Sequence, residues 1–162
     1  SVCAGGRERY ESVWKALQTL KSLESEQEQK TDYVLIHDGA RPFLNQEMLE
    51  RLCACVKEEK ACVLGMPVKD TIKVASGGAV VETPDRSRLF AVQTPQVFDV
   101  DLLRGALQNA QEKQLPVTDD CSAVEAIGKI VFLTEGSEEN IKITTPLDLE
   151  LAEAILRRRR EA

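Results

Sequence analysis

The chain has 162 residues, enough for one domain with a real core. It is 43% hydrophobic, 30% charged and only 4% aromatic, which describes a globular chain with an aliphatic interior. A net charge of −6 argues against a general nucleic-acid or membrane-surface binder, yet leaves room for a few converging Lys and Arg to take an anionic ligand.

Val2 to Ala4 reads as the end of a strand and Gly5-Gly6 as a turn. A helix follows, with Val13, Ala16, Leu17, Leu20 and Leu23 on one face. Glu24 to Lys30 is polar throughout and reads as a frayed helix end and surface loop. Tyr33-Val34-Leu35-Ile36 is an unbroken apolar run and predicts a strand buried on both faces, as in parallel sheets. A helix over about Gln46 to Glu59 is next, in which Cys53 reads as a small core residue rather than a metal ligand. Ala61 to Val68 predicts a second buried strand. The period then changes to two: Asp70 to Val74, a turn at Ser76-Gly77-Gly78, and Ala79 to Thr83 predict a hairpin. We expect residues 70–83 to form an arm outside the main sheet. Leu89 to Val97 is β-rich, with Thr94-Pro95-Gln96 as a rigid turn. Val100 to Leu115 is helical, and a short helix over Ala123 to Ile127 follows a cap at Thr118 or Asp119. Strands are expected at Ile130 to Leu133 and Asn140 to Thr144. Thr145, Pro146 and Asp148 open a last helix as cap, first residue and acid at the third position. Arg157 to Arg160 close it as a solvated tail at the negative end of the helix dipole. Alternating strands and helices predict a single α/β domain with a mainly parallel sheet.

No stretch approaches a membrane span, and no basic-then-apolar leader is visible. The five cysteines, Cys3, Cys53, Cys55, Cys62 and Cys121, are odd in number and lack CxxC spacing. They read as reduced thiols of a cytoplasmic protein.

The segment His37-Asp38-Gly39-Ala40-Arg41-Pro42 delivers an acid and an arginine to a strand's carboxyl end, where open α/β sheets bind ligands. An Asp there can hold a metal, and an Arg can pair with phosphate. A plainer reading is a loop whose Asp caps a turn and whose Arg is solvated. Pro67 to Lys73 mixes cations, an acid and a hydroxyl at another strand exit, and Lys142 sits between Ile141 and Ile143. Strand alternation would turn Asn140, Lys142 and Thr144 to one side, and Lys142 could equally snorkel. Together Asp38, Arg41, Thr71, Arg86, Thr118 and Lys142 suit a magnesium-dependent phosphate ligand. His37 is the only histidine, so neither a His-rich zinc site nor a Ser-His-Asp triad can be assembled. Without a nucleophile–base pair, the chemistry that fits is in-line transfer by positioning and charge stabilisation.

The order of motifs resembles the 2-C-methyl-D-erythritol 4-phosphate cytidylyltransferase family. It rests on Gly5-Gly6-x-x-Arg9-x-x-Ser12-Val13, His37 to Pro42, Pro67 to Lys73, Gln93-Thr94-Pro95-Gln96, Thr118-Asp119-Asp120-Cys121-Ser122, and Glu135-Gly136 through Asn140 to Pro146. The resemblance implies a Rossmann-like nucleotidyltransferase fold with a protruding β-hairpin arm. It implies CTP and 2-C-methyl-D-erythritol 4-phosphate as substrates, Mg2+ as cofactor, and a cytidyl diphosphate sugar alcohol and pyrophosphate as products of isoprenoid precursor synthesis. By motif, Gly6 and Ser12 would line the cytidine, and Asp38 would lie near the metal and substrate hydroxyls. Arg41, Thr94, Thr118 and Lys142 would surround the phosphates. Thr71 and Arg86, on the arm, would reach a second subunit's substrate in a homodimer. Ribitol-5-phosphate cytidylyltransferases share several of these motifs and are the nearest alternative. The family's first strand and glycine-rich, basic nucleotide loop have no match here. The expectation is thus an N-terminally incomplete domain, poorly soluble and weak in CTP binding by itself, or a non-catalytic remnant of the fold.

Overall fold

The computed structural model describes residues 1–161. Among them the elements run α1 (Arg9–Gln27), β1 (Tyr33–Ile36), α2 (Gln46–Glu59), β2 (Ala61–Pro67), β3 (Val74–Ser76), β4 (Ala79–Glu82), β5 (Phe90–Asp99), α3 (Val100–Glu112), α4 (Asp120–Ala126), β6 (Phe132–Glu135) and α5 (Pro146–Glu161). A single 3₁₀ turn at Arg86–Arg88 precedes β5.

The main sheet has the order β1-β5-β2-β6. β2 pairs with β6 in parallel, and β5 runs antiparallel to both β1 and β2. Three strands therefore share one direction, and β5 opposes them from between β1 and β2, so the sheet is mixed, with one parallel and two antiparallel ladders instead of a mainly parallel set. Helices cover both faces. Successive β2 residues alternate between the two layers: Ala61 and Val63 join the core built on α1, α3 and α4, and Cys62 and Leu64 join the core under α2. Phe98 and Val97 of β5 divide the same way. Each fully buried aliphatic side chain here contributes about 1.5–3 kcal/mol.

Local chemistry sets several boundaries. Asn45 caps α2 by accepting from Met48 N–H at 2.9 Å. At the start of α5, Asp148 accepts from the Thr144 and Thr145 amides at 2.9 and 2.7 Å and from both hydroxyls. Asp119 caps α4, which begins at Asp120, three residues before the expected start.

Elsewhere the structure corrects the sequence reading. Val2 to Ala4 is not in a strand. β1 is an outer strand paired only with β5, so Leu35 is 43% exposed instead of buried on both faces. Cys53 is exposed, because Met48, Leu52 and Val56 form the inner stripe of α2. The strand expected from Ile130 forms two residues later. Residues 140–144 join no ladder, and Asn140 is fully buried while Lys142 is exposed. Thr94-Pro95-Gln96 is no turn but lies inside β5. The arginine tail is partly tied down: Arg158 and Arg159 pair with Glu139, and Arg159 also donates to Phe43 O at 3.0 Å.

The arm is present. β3 and β4 pair only with each other around Gly77-Gly78, whose φ values of +58° and +83° suit a two-residue hairpin loop that glycine accommodates without strain. Its ladder spans Val74 to Glu82, narrower than the 70–83 expected, with the flanking residues exposed.

Candidate active site

β1 ends at Ile36, and the next residues leave the sheet beside a bulge in β5. Val63 faces Gln96 across the β2–β5 ladder but Gly65 faces Val92, so Gln93 to Pro95 stand opposite Leu64 alone. The bulge accommodates Pro95, which has no N–H for the ladder. It also turns Thr94 towards the chain leaving β1 and Gln93 towards residues 136–140.

Thr94 is 6% exposed, and its hydroxyl accepts the Asp38 amide at 3.0 Å and lies 3.1 Å from His37 Nδ1. With the Asp38 N–H as donor, the Thr94 proton points to Nδ1. Nε2 of His37 then donates to Arg41 O at 2.9 Å. This chain of bonds folds residues 37–41 into a loop and presents the Asp38 carboxylate.

Three cations converge on that carboxylate. Lys142 Nζ lies 2.9 Å from Oδ2, Arg41 Nε lies 3.8 Å from Oδ2, and Arg9 Nε lies 3.8 Å from Oδ1. Burial pushes the Asp38 carboxyl up, but the Lys142 hydrogen bond and the charges of Lys142, Arg9 and Arg41 outweigh it and hold it below its ordinary range. Arg9 is anchored from behind: its Nη1 meets Oδ2 of the fully buried Asp120 at 2.6 Å. Burial raises the Asp120 carboxyl, against the pull of Arg9, and Oδ1 of Asp120 has no partner. Gln96 locks this corner, donating to Asp119 Oδ2 at 2.7 Å and accepting the Asp120 amide at 3.1 Å.

Asp38, Arg41, Thr94 and Lys142 are thus brought together, although 104 positions separate Asp38 from Lys142 in the chain. Thr118 is exposed at the start of α4, on a cleft of about 260 Å³ that it shares with Arg9 and Asp119. Gly6 and Ser12 meet before and within α1, the Gly6 amide donating to Ser12 Oγ at 2.8 Å. Thr71 and Arg86 stay apart. Both are exposed, and Arg86 Nη1 donates to Lys69 O at 2.6 Å. Neither has a hydrogen bond or ion pair with the Asp38 cluster among the described residues.

Sequence reasoning missed Arg9, Asp120, Gln93, Gln96 and Asn140 as builders of the site. Their signal lies in the same motifs, but which of a motif's residues face one another depends on strand order. A larger cavity, about 610 Å³, lies at the other end of the sheet between Lys60, Asp99, Lys129 and Phe132. It holds none of the clustered cations.

Among the described residues no group of three or more His, Cys, Asp or Glu side chains is placed to hold a metal alone. Asp38 Oδ1, whose one charged neighbour is 3.8 Å away, offers a single carboxylate oxygen. That donor fits Mg2+ only as an ion shared with phosphate oxygens and water, which is how magnesium is commonly bound in such sites.

The family model described as 2-C-methyl-D-erythritol 4-phosphate cytidylyltransferase matches residues 1–158. The chain belongs to that family. It is 50% identical over 152 residues to the protein of that name from Bacillus cytotoxicus, covering 94% of this chain and 64% of that protein. It is 45% identical over 155 residues to the one from Clostridioides difficile, covering 96% and 62%. The chain therefore spans just under two thirds of the length of these curated relatives. Among solved structures, the 2-C-methyl-D-erythritol 4-phosphate cytidylyltransferase from Thermus thermophilus superposes with a TM-score of 0.82 at 37% identity, covering 96% of this chain and 72% of that one. The Francisella tularensis enzyme gives 0.84 at 34%, covering 94% and 70%. The fold is the Rossmann-like nucleotidyltransferase fold of this family. No helix among the described residues is long and apolar enough to cross a membrane.

Proposed function

We propose that the protein carrying this chain joins CTP and 2-C-methyl-D-erythritol 4-phosphate to give CDP-methylerythritol and pyrophosphate. The observation that carries this reading is the convergence of Lys142, Arg41 and Arg9 on Asp38 at the carboxyl end of β1. Three cations against two carboxylates, Asp38 and Asp120, leave positive charge in excess, which favours an anionic ligand in the same space.

In this reaction a phosphate oxygen of the sugar alcohol attacks the α-phosphorus of CTP. A new P–O bond forms, the bond between the α- and β-phosphates breaks, and pyrophosphate leaves. The attacking oxygen is already ionised at neutral pH, so no general base is needed, consistent with the lack of a nucleophile–base pair. Lys142 and Arg41 stabilise charge on the phosphoryl oxygens, and Thr118 lines the same mouth. Thr94 keeps the loop of residues 37–41 in place beside the substrate phosphate. Gly6 and Ser12 lie on the cytidine side. Magnesium, when bound, neutralises phosphate charge, and Asp38 is the residue that would hold it. The arm reaches a second copy in a homodimer, which brings Thr71 and Arg86 to the partner's substrate. Unpaired cysteines throughout suit a cytoplasmic setting.

Formation of pyrophosphate from CTP with methylerythritol phosphate, beside ribitol 5-phosphate as competitor, tests the reading. Turnover dependent on methylerythritol phosphate supports it. Turnover with ribitol 5-phosphate alone, or with neither, overturns it.

A further inference from the structure

Lys142 stands on chain that no ladder holds. Residues 140–144 carry one backbone bond to the neighbouring loop, Ile143 N–H to Ala40 O at 2.8 Å. A lysine on such a strap would ordinarily sweep a wide volume, yet its Nζ meets Asp38 at 2.9 Å. What holds the strap is a pair of carboxamides.

Gln93, delivered by the β5 bulge, donates through Nε2 to Ser137 O at 2.8 Å and accepts the Ser137 amide at 3.3 Å. Its Oε1 also accepts from Asn140 Nδ2 at 3.2 Å, and the same Nδ2 donates to Thr94 O at 2.9 Å. The backbone closes on this amide at Gly136, where a Cβ would stand 2.6 Å from Gln93 Oε1. Asn140 then serves a second cation through its main chain, since its backbone carbonyl accepts Arg41 Nη1 at 2.7 Å. Its own Oδ1 is buried without a partner. An unmet buried acceptor costs about 1–3 kcal/mol, so the amide is placed for its two donors and not for general hydrogen-bonding capacity.

We infer that Gln93 and Asn140 are positioning residues, a carboxamide clasp that sets Lys142 and Arg41 at the spacing a substrate phosphate requires. Neither touches substrate; both act through the cations. The inference rests on the phosphate reading above. The geometry separates it from ordinary loop packing, because one buried residue, Asn140, bonds to Thr94, Arg41 and Gln93 and lies two positions from Lys142.

The test is a double-mutant cycle read by calorimetry with 2-C-methyl-D-erythritol 4-phosphate on the protein carrying this chain. Lys142→Ala and Gln93→Ala should each weaken binding about tenfold, the loss of one charge-assisted contact. The double variant should lose less than the product of the two single losses, because the clasp acts through Lys142 as well as Arg41. Wild-type affinity in Gln93→Ala, or losses that simply multiply in the double variant, would overturn the inference. An unchanged Kd in Lys142→Ala would overturn the phosphate reading itself, and this inference with it.

A second readout needs no ligand. Amide hydrogen exchange over residues 137–143 should be faster in Gln93→Ala than in the wild-type protein, because the strap loses its bonds to Gln93. Unchanged exchange there sinks the clasp while leaving the phosphate reading intact. If Gln93→Ala does not fold, Gln93→Met keeps the volume without the amide and is read in the same way.

Discussion

The Asp38 cluster and the arm are built from similar polar and apolar residues, yet they are held in opposite ways. The cluster is fixed by bonds between distant segments: Arg9 to Asp120 across 111 positions, Arg41 to Asn140 across 99, and the Asp38 amide to Thr94 across 56. Its members come from α1, the exit of β1, the bulge of β5, the start of α4 and the strap before α5. The arm is held by its own turn. Every residue from 69 to 83 is exposed, and β3 and β4 bond to each other alone. An isolated two-stranded ribbon is marginal in water. The contrast shows where the fold spends its long-range contacts: on a constellation that must keep its spacing, and not on a ribbon that a partner surface can order.

The largest effect that sharpens this contrast is on stability. Leu103 is fully buried in the core under α1, α3 and α4. Leu103→Ala should cost about 2–5 kcal/mol in urea unfolding, with a midpoint shift and an unchanged slope. Val80→Ala on the arm should stay within about 0.5 kcal/mol. Equal losses would show that the arm belongs to the cooperative unit. Lys142→Ala comes next. Turnover should fall by about 10²–10³, the usual loss for one preorganised charge-stabilising donor, while unfolding changes by no more than a half-exposed ion pair contributes, about 0–1 kcal/mol. A change in stability with no change in rate would make Lys142 a structural residue.

Gly78→Val probes the arm by itself. At φ +83° a β-branched side chain is strained by about 1–2 kcal/mol. Sedimentation should show a weaker dimer while the thermal midpoint of the body stays put, and an unaltered dimer would remove the arm from the interface.

The smallest effects concern pH. Asp38 is held below its ordinary value of 3.8, so the stability it contributes is present above pH 3.8 and lost as the pH falls through its lower folded value. Asp120 has the opposite sign. Its raised carboxyl contributes stability that is full below 3.8 and is lost as the pH rises through the folded value. Asp38→Asn should flatten the acid limb of the stability profile, and Asp120→Asn should flatten the rise-side loss. Exchange of the two behaviours would contradict the assigned environments.

Much of this was legible where a local rule decides the outcome. The bounds of α2 follow from its apolar spacing and Asn45, the start of α5 from Thr145, Pro146 and Asp148, and the hairpin loop from Gly77-Gly78. The convergence of Asp38, Arg41 and Lys142 followed from strand ends and from the resemblance. Where neighbours decide, the pattern misled. Asn140 to Thr144 alternates like a strand but has no partner in register, and it is held by the side chain of Gln93. Tyr33 to Ile36 is apolar enough for a central strand but pairs on one side only. Pro95 suggested a turn because a bulge between β5 and β2 cannot be read from one segment. Arg9 and Asp120 form the shortest ion pair to the site, and nothing within either motif says that they face each other.

The most direct test of the central claim is a crystal structure of the protein carrying this chain with 2-C-methyl-D-erythritol 4-phosphate and magnesium. The account predicts the phosphate among Lys142, Arg41 and Arg9 at the carboxyl end of β1, with Asp38 turned towards the metal and the Gln93–Asn140 bonds intact. A phosphate bound instead in the cavity between Lys60 and Lys129, or one among the three cations with the clasp broken, would contradict it.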